Sequence, residues 1–448
     1  MTTLVVLPAK GPLTGSVPVP SDKSIGHRAL LFAALCRGKS RIEGFSGGED
    51  NVATANALRA MSIRIDEESK STWIVEGKGI FGFVAPKAAL DCGNSGTTMR
   101  LFTGLLAPQP FASTLVGDAS LSRRPMARVA DPLRKRGAII EGVPHPSKAG
   151  ELTAPLRIAG LPEGTYLGPL EYESPVVSAQ VKSAILLSGL YAHGPTYVKE
   201  TLLSRDHTER MMRALGVPIR TVGTLVEIDP SDWNGEMPAF DVKLPGDISA
   251  AAFLIVAAQI VAGSQVDVRH VGTNPTRTGI LEIARDMGVS VHVEPEGDSG
   301  GEPVATVRVS PGSIRGMAIG GEVVEIGETD NGLIRRGGGQ KDFCRKGDFR
   351  RGIRVEGHPQ RRGQRRETGH ANFERSRLSF PPGGGLGADR FQGQLRKCLR
   401  PGQRGDRPDA ERGGLDPRAA GFGNGQQDLR SGGGHSHGAF PDSLDDGD

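Results

Sequence analysis

Lys23 and Arg28 stand beside Ser21, Ser24 and Gly26 in the stretch PSDKSIGHRALL, just ahead of an apolar run with helical period. Two cations and two hydroxyls at a helix start suit an anion, because the backbone N–H groups at that end carry partial positive charge. A plainer reading competes with it: Ser21 or Asp22 caps the helix and both cations face water. Four further stretches bear on the choice. DCGNSGTTMRLFTGLL places Asn94, Gly96, Thr97 and Thr98 in a tight polar loop before an apolar helix, a backbone nest suited to an anion but also ordinary turn chemistry. GDASLSRRPMARVADPL offers Arg123 and Arg124, whose planar guanidinium forks match carboxylate or phosphate. SPVVSAQVKSAILLSGL brings Ser178, Gln180 and Lys182 to a polar first helical turn, and LSRDHTERMMRALG adds Arg205, Asp206 and His207. His207 reads as a structural histidine, bound by its polar neighbours, rather than as a base.

The elements that must position these groups show a weak internal repeat. LRAMSIRI, LRKRGAII, MRALGVPI and ARDMGVSV each read as a helix end, a small residue and a β-branched strand, with Arg59, Arg134, Arg213 and Arg285 in register. The spacing, roughly 70 to 80 residues, fits one supersecondary unit of two helices and several strands and is too long for a simple solenoid. A fifth and a sixth unit would end near residues 360 and 435, and neither pattern is there.

Instead the composition changes after GGEVVEIGETD. Gly and Arg make up roughly two-fifths of residues 325–448, with a single Val and no Met, Trp or Tyr, so large apolar groups are too few to offset the entropy of ordering. That segment is expected to be largely disordered, and an Arg/Gly-rich tail has general affinity for polyanions. A nucleic-acid-binding protein is therefore the alternative from another class, weakened because few aromatics are interleaved with the arginines.

With 448 residues the chain is long enough for two or three domains, and its net charge of +4 does not by itself imply nucleic acid. The longest apolar run, AAAFLIVAAQIVAG, carries a Gln and is too short to span a bilayer. MTTLVVLPAKG lacks the marks of an export signal, and Cys36, Cys92, Cys344 and Cys398 form no C-x-x-C pair. A reducing cytoplasm is the expected location, with no metal.

The five stretches PSDKSIGHRAL, GNSGTTMR, LSRRPM, SAQVKSA and SRDHTERM occur in the order seen in the EPSP synthase (3-phosphoshikimate 1-carboxyvinyltransferase) family, which this chain resembles to about residue 324. The resemblance implies an α/β fold of two domains, each of three βαβαββ units around a pseudo-threefold axis. Residues 21–240 would form a complete domain, residues 1–20 with 241–324 an incomplete one, and residues 325–448 the tail. It further implies transfer of the enolpyruvyl group of phosphoenolpyruvate to the 5-hydroxyl of shikimate 3-phosphate, without cofactor, by a monomer. Lys23, Ser24 and Arg28 correspond to shikimate-3-phosphate contacts, and Lys23 also reaches phosphoenolpyruvate as a catalytic group. Gly96 and Arg124 correspond to the phosphoenolpyruvate site. Ser178, Ala179 through its backbone, Gln180 and Arg205 correspond to further contacts on the phosphorylated ring acid. The family's aspartate base falls in an Ile-Asp-Glu context, and Asp330, in GETDNG, lies at about that spacing. The Lys-Glu-Ser/Thr-Asp-Arg stretch that follows it in the family is missing here. A rival within the fold, a UDP-sugar enolpyruvyl transferase, would carry a loop cysteine near SRRPM, and there is none. The tail's Gly, Arg and Pro content is that of a GC-rich strand read out of frame, so the expectation is that the family's frame is lost near Glu325.

Overall fold

The computed structural model describes residues 9–316; Asp330 and the Arg/Gly-rich segment lie outside them. The described chain begins with β1 (Thr14–Pro18), α1 (Lys23–Leu35), β2 (Arg37–Glu43), α2 (Glu49–Ala60), β3 (Arg64–Ser69) and β4 (Thr72–Lys78). The order recurs as β5 (Leu90–Asp91), α3 (Gly96–Leu106), β6 (Ser113–Val116), α4 (Ala127–Lys135), β7 (Ile140–Pro144) and β8 (Leu152–Ile158). A third round is β9 (Leu170–Glu173), α5 (Ala179–Gly189), β10 (Thr196–Lys199), α6 (His207–Ala214), β11 (Ile219–Val222) and β12 (Leu225–Ile228). The fourth is β13 (Asp241–Lys243), α7 (Ile248–Ile260), β14 (Gln265–Gly272), α8 (Gly279–Asp286), β15 (Ser290–Ser299) and β16 (Glu302–Ser310).

Every round yields a four-stranded sheet on one plan: the first strand lies parallel to the second, and the last two complete it antiparallel. Two first strands are exchanged. β1 pairs with β14, while β13 pairs with β2, so the chain crosses between two lobes twice. The second crossing comes after Lys243, a few residues beyond the 240/241 division read from the sequence, because β13 completes the sheet of β2.

The repeated arginines have a common task. Arg59, Arg134 and Arg285, each at a helix end, donate to the carbonyls of Ile65, Ile140 and Val291 six residues on, stapling the helix to the strand that follows. Arg213 reaches the Thr221 hydroxyl instead. Side chains also start the first helix of each round: Asp22, Ser95, Ser178 and Asp247 accept from backbone amides of α1, α3, α5 and α7. In the first lobe α1, α3 and α5 are buried together in one large apolar core. The second lobe has a smaller core between α7, α8 and one sheet. Among the described residues no helix is long and apolar enough to cross a membrane.

Candidate active site

The first turns of α1, α3 and α5 are tied to one another by side chains, so three positive helix ends meet in one region. A chain of hydroxyls links α1 to α3. His27 Nδ1 lies 2.7 Å from Thr54 Oγ1, Thr54 is 2.7 Å from Thr98 Oγ1, and Thr98 donates to the cap oxygen of Ser95 at 2.7 Å. Gln180 links α5 to α3, donating to Thr97 Oγ1 at 2.9 Å and accepting from Arg100 Nη1 at 2.6 Å.

Arg28 crosses from α1 to the elements of the third round. Its Nε donates to Thr208 Oγ1 at 2.7 Å, Nη2 to Ser183 Oγ at 2.7 Å and Nη1 to the Ser24 carbonyl at 3.0 Å. Guanidinium carries five N–H groups, so these three bonds leave one N–H on each Nη. Burial lowers Arg28 to about 10, with Glu209 opposing the fall, so it stays cationic at neutral pH. Arg205 donates to Ser24 Oγ at 3.3 Å, which brings Arg205, Ser24 and Arg28 together. Lys23 Nζ is 2.8 Å from Asp50 at an exposed rim.

Around Gly96 two guanidinium groups crowd the backbone. A Cβ there would lie 2.8 Å from Arg100 Nη1 and 3.0 Å from Arg124 Nη1. Arg124 is oriented by Asn94 Oδ1 at 2.5 Å, and Asn94 in turn donates to Asp118 at 2.6 Å. Burial lowers Arg100 to about 10, with Arg128 and Arg124 pushing the same way. Positive side chains thus gather in two groups, one of Lys23, Arg28 and Arg205, the other of Arg100 and Arg124 around Gly96.

Two residues quoted for the site have other tasks. Lys182 is buried and contacts Glu200 at 2.7 Å and Glu209 at 2.8 Å, behind the Ser183–Thr208 layer that holds Arg28. Burial would lower its pKa, but the two glutamates outweigh this and keep the ammonium charged. His207 is buried with Nδ1 2.7 Å from Glu302 Oε1, in keeping with a structural histidine. His27 is pulled down by burial to about 3 and is neutral at physiological pH.

Sequence reasoning missed Arg100, Ser183 and Thr208. Arg100 carried a signal, being a lone cation inside an apolar helix, but the two hydroxyls carried none because their partner is remote in sequence. Asp330 lies outside the described residues. Among the described residues no group of three or more His, Cys, Asp or Glu could hold a metal ion.

The family model for EPSP synthase (3-phosphoshikimate 1-carboxyvinyltransferase) matches residues 7–320. The chain belongs to the EPSP synthase family. Among its relatives is the 3-phosphoshikimate 1-carboxyvinyltransferase of Alkalilimnicola ehrlichii, 49% identical over 309 residues, covering 69% of this chain and 67% of that protein. The protein of the same name from Geobacter sp. strain M21 is 48% identical over 324 residues, 72% of each chain. A solved EPSP synthase of Acinetobacter baumannii superposes with a TM-score of 0.65 at 41% identity, covering 72% of this chain and 70% of that one. The described fold is thus that of the two-domain enolpyruvyl transferases. All the converging helix ends described above lie within the part of the chain matched by the family.

Proposed function

We propose that this chain carries the shikimate-3-phosphate face of an EPSP synthase, with Lys23, Ser24, Arg28, Ser178, Ala179, Gln180 and Arg205 as its contacts. The family's reaction is transfer of the enolpyruvyl group of phosphoenolpyruvate to the 5-hydroxyl of shikimate 3-phosphate, releasing phosphate. The observation that carries the reading is Arg28: a buried, charged guanidinium fixed by three bonds, with one N–H left on each Nη. Such preset donors hold a phosphate without having to be ordered at binding.

Phosphoenolpyruvate is assigned to Gly96 and Arg124, with Arg100 added from the geometry. The reaction takes the proton from the 5-hydroxyl as its oxygen joins C2 of phosphoenolpyruvate and delivers a proton to C3; phosphate is then expelled from the tetrahedral centre as C3 gives a proton back and the vinyl ether forms. Lys23, at the exposed start of α1, is assigned to neutralise charge on both anions and to serve as the catalytic cation. Bringing two anions into contact is first a problem of proximity, which the converging cations address. Asp330 is the base suggested by spacing. The reading includes action in the cytoplasm as a monomer.

The test has two parts. Phosphate release by the purified chain on mixing both substrates measures the reaction itself. Calorimetric titration with shikimate 3-phosphate measures the face alone, and Arg28→Ala should weaken binding by about tenfold to a hundredfold. Unchanged affinity in that variant would remove the assignment.

A further inference from the structure

The two crossings between lobes pass side by side. The Asp22 amide donates to the Pro245 carbonyl at 2.8 Å, and the Asp247 amide donates back to the Pro20 carbonyl at 2.9 Å. Each crossing is followed at once by a helix whose N-cap is an aspartate, Asp22 for α1 and Asp247 for α7. Arg277, from the loop between β14 and α8, spans both caps. Its Nη1 donates to Asp22 Oδ2 at 3.0 Å, and its Nη2 to Asp247 Oδ1 at 3.1 Å and Ser249 Oγ at 2.9 Å. Asp22 meanwhile accepts from the Ile25 amide at 3.0 Å, so one carboxylate holds the first turn of α1 and the second lobe together.

The same loop makes a second clasp. Arg277 N donates to the Asn274 carbonyl at 2.8 Å, closing a tight turn over Asn274, Pro275, Thr276 and Arg277. Asn274 Nδ2 donates to Asp206 Oδ1 at 2.7 Å and to Glu302 Oε2 at 2.9 Å. Both clasps grip the residue directly before a proposed ligand contact or directly after one: Asp22 precedes Lys23 and Ser24, and Asp206 follows Arg205. Asp22, Asn274 and Arg277 are all buried, so the bonds are shielded from water.

We propose that Arg277 and Asn274, on one turn of the second lobe, are positioning residues for the shikimate-3-phosphate contacts carried by the first lobe. They touch no substrate. They fix the backbone next to Lys23, Ser24 and Arg205, and by reciprocity a bound ligand tightens the junction between the lobes. The inference rests on the reading of Lys23, Ser24 and Arg205 given under Proposed function.

The experiment uses the full chain with Arg277→Gln, and Arg277→Lys as the milder variant, whose single ammonium cannot span both aspartates. Titration with shikimate 3-phosphate, at a temperature where circular dichroism shows all three proteins folded, should give affinity weaker by about tenfold or more for Arg277→Gln and a smaller loss for Arg277→Lys. Hydrogen exchange is followed in parallel and needs no ligand. The Ile25 amide should exchange faster in both variants, while the Thr98 amide at the start of α3 keeps its rate. A role confined to general stability would move both amides and leave the affinity of the folded fraction unchanged; that result overturns the proposal. If the unmutated chain fails to bind shikimate 3-phosphate, the proposed function falls. The exchange measurement then decides alone whether Arg277 holds the first turn of α1, and an unchanged Ile25 rate sinks it.

Discussion

Helices α1 and α7 are counterparts: each has 13 residues, follows a crossing and starts at an aspartate cap. Counting from that cap pairs Leu31 with Val256, Leu35 with Ile260 and Arg28 with Phe253. The fractional exposures are 1% against 47%, 0% against 57% and 4% against 67%. In the first lobe that face of α1 is buried, and from it Arg28 reaches Ser183 of α5 and Thr208 of α6. On α7 the same face is apolar, and none of the described residues covers it. A helix apolar all round belongs in the middle of a core. The composition of α7 therefore specifies neighbours that the chain supplies for α1 and, within the described residues, does not supply for α7.

The comparison breaks most sharply on the reading frame. If the frame is lost near Glu325, another frame of the same gene should encode helix-period apolar segments and a Lys-Glu-Ser/Thr-Asp-Arg stretch. The polypeptide with that frame restored should release phosphate from the two substrates at least about 10⁶-fold faster than the uncatalysed reaction. Stop codons throughout both other frames, or the lack of that stretch, would sink the idea.

Core substitutions give the next largest contrast. Phe32→Ala on α1 should cost about 3–5 kcal/mol in urea unfolding. Phe253→Ser on α7 should stay within about 0.5 kcal/mol in the present chain and become costly once the frame is restored. Equal effects at the two positions in the present chain would remove the distinction between the helices.

His27 sharpens the comparison by pH, since the counterpart on α7 is Ala252. The folded protein holds His27 neutral with a value of about 3, against 6.5 when unfolded. Its contribution to stability is thus present above pH 6.5 and is lost as pH falls, because the unfolded chain then gains a proton that the folded one refuses. Denaturant melts between pH 6.5 and 4 should show stability falling by up to about 1.4 kcal/mol per pH unit from this group. His27→Gln should remove that slope, and an unaltered slope would refute the assignment.

The smallest effect is expected at Gly96. A methyl group there must displace the ends of Arg100 and Arg124, a rotamer adjustment of about 1 kcal/mol. In the frame-restored enzyme Gly96→Ala should raise the KM for phosphoenolpyruvate about fivefold and leave shikimate-3-phosphate affinity alone. Equal losses for both ligands would argue against separate sites.

Much of this was legible in the sequence because it is local. Arg59, Arg134 and Arg285 act six residues away and Arg213 eight, and the caps Asp22, Ser95 and Ser178 act within a turn, so the aligned arginines and the polar helix starts stood out as local patterns. The stretches proposed to bind anions stand out because the helix starts carry their polar and cationic groups in consecutive residues. Long-range pairings were not legible. Nothing near Arg28 indicates that Ser183 and Thr208 will hold it, and nothing near Asp22 points to Arg277. The exchange of β1 and β13 shows in no local pattern, because each strand looks like the start of the unit that follows it; the resemblance alone joined residues 1–20 to the later lobe, and it left β13 on the wrong side of the division.

That exchange sets the order in which the molecule can be assembled during synthesis. Thr14 of β1 pairs with Gln265 of β14, so the first of the described strands waits for a partner 251 residues later (265 − 14). At ordinary elongation rates the wait is about 10 to 50 seconds. During that time the three rounds from α1 to β12 can bury their helices, and β13 emerges to complete the sheet of β2 before β14 is made. A nascent chain released before residue 265 would carry β1 as a loose edge, open to chaperones and to pairing with other chains. In arrested nascent chains of increasing length, β1 should gain protection from proteolysis only after β14 has emerged, long after α1 beside it has become resistant.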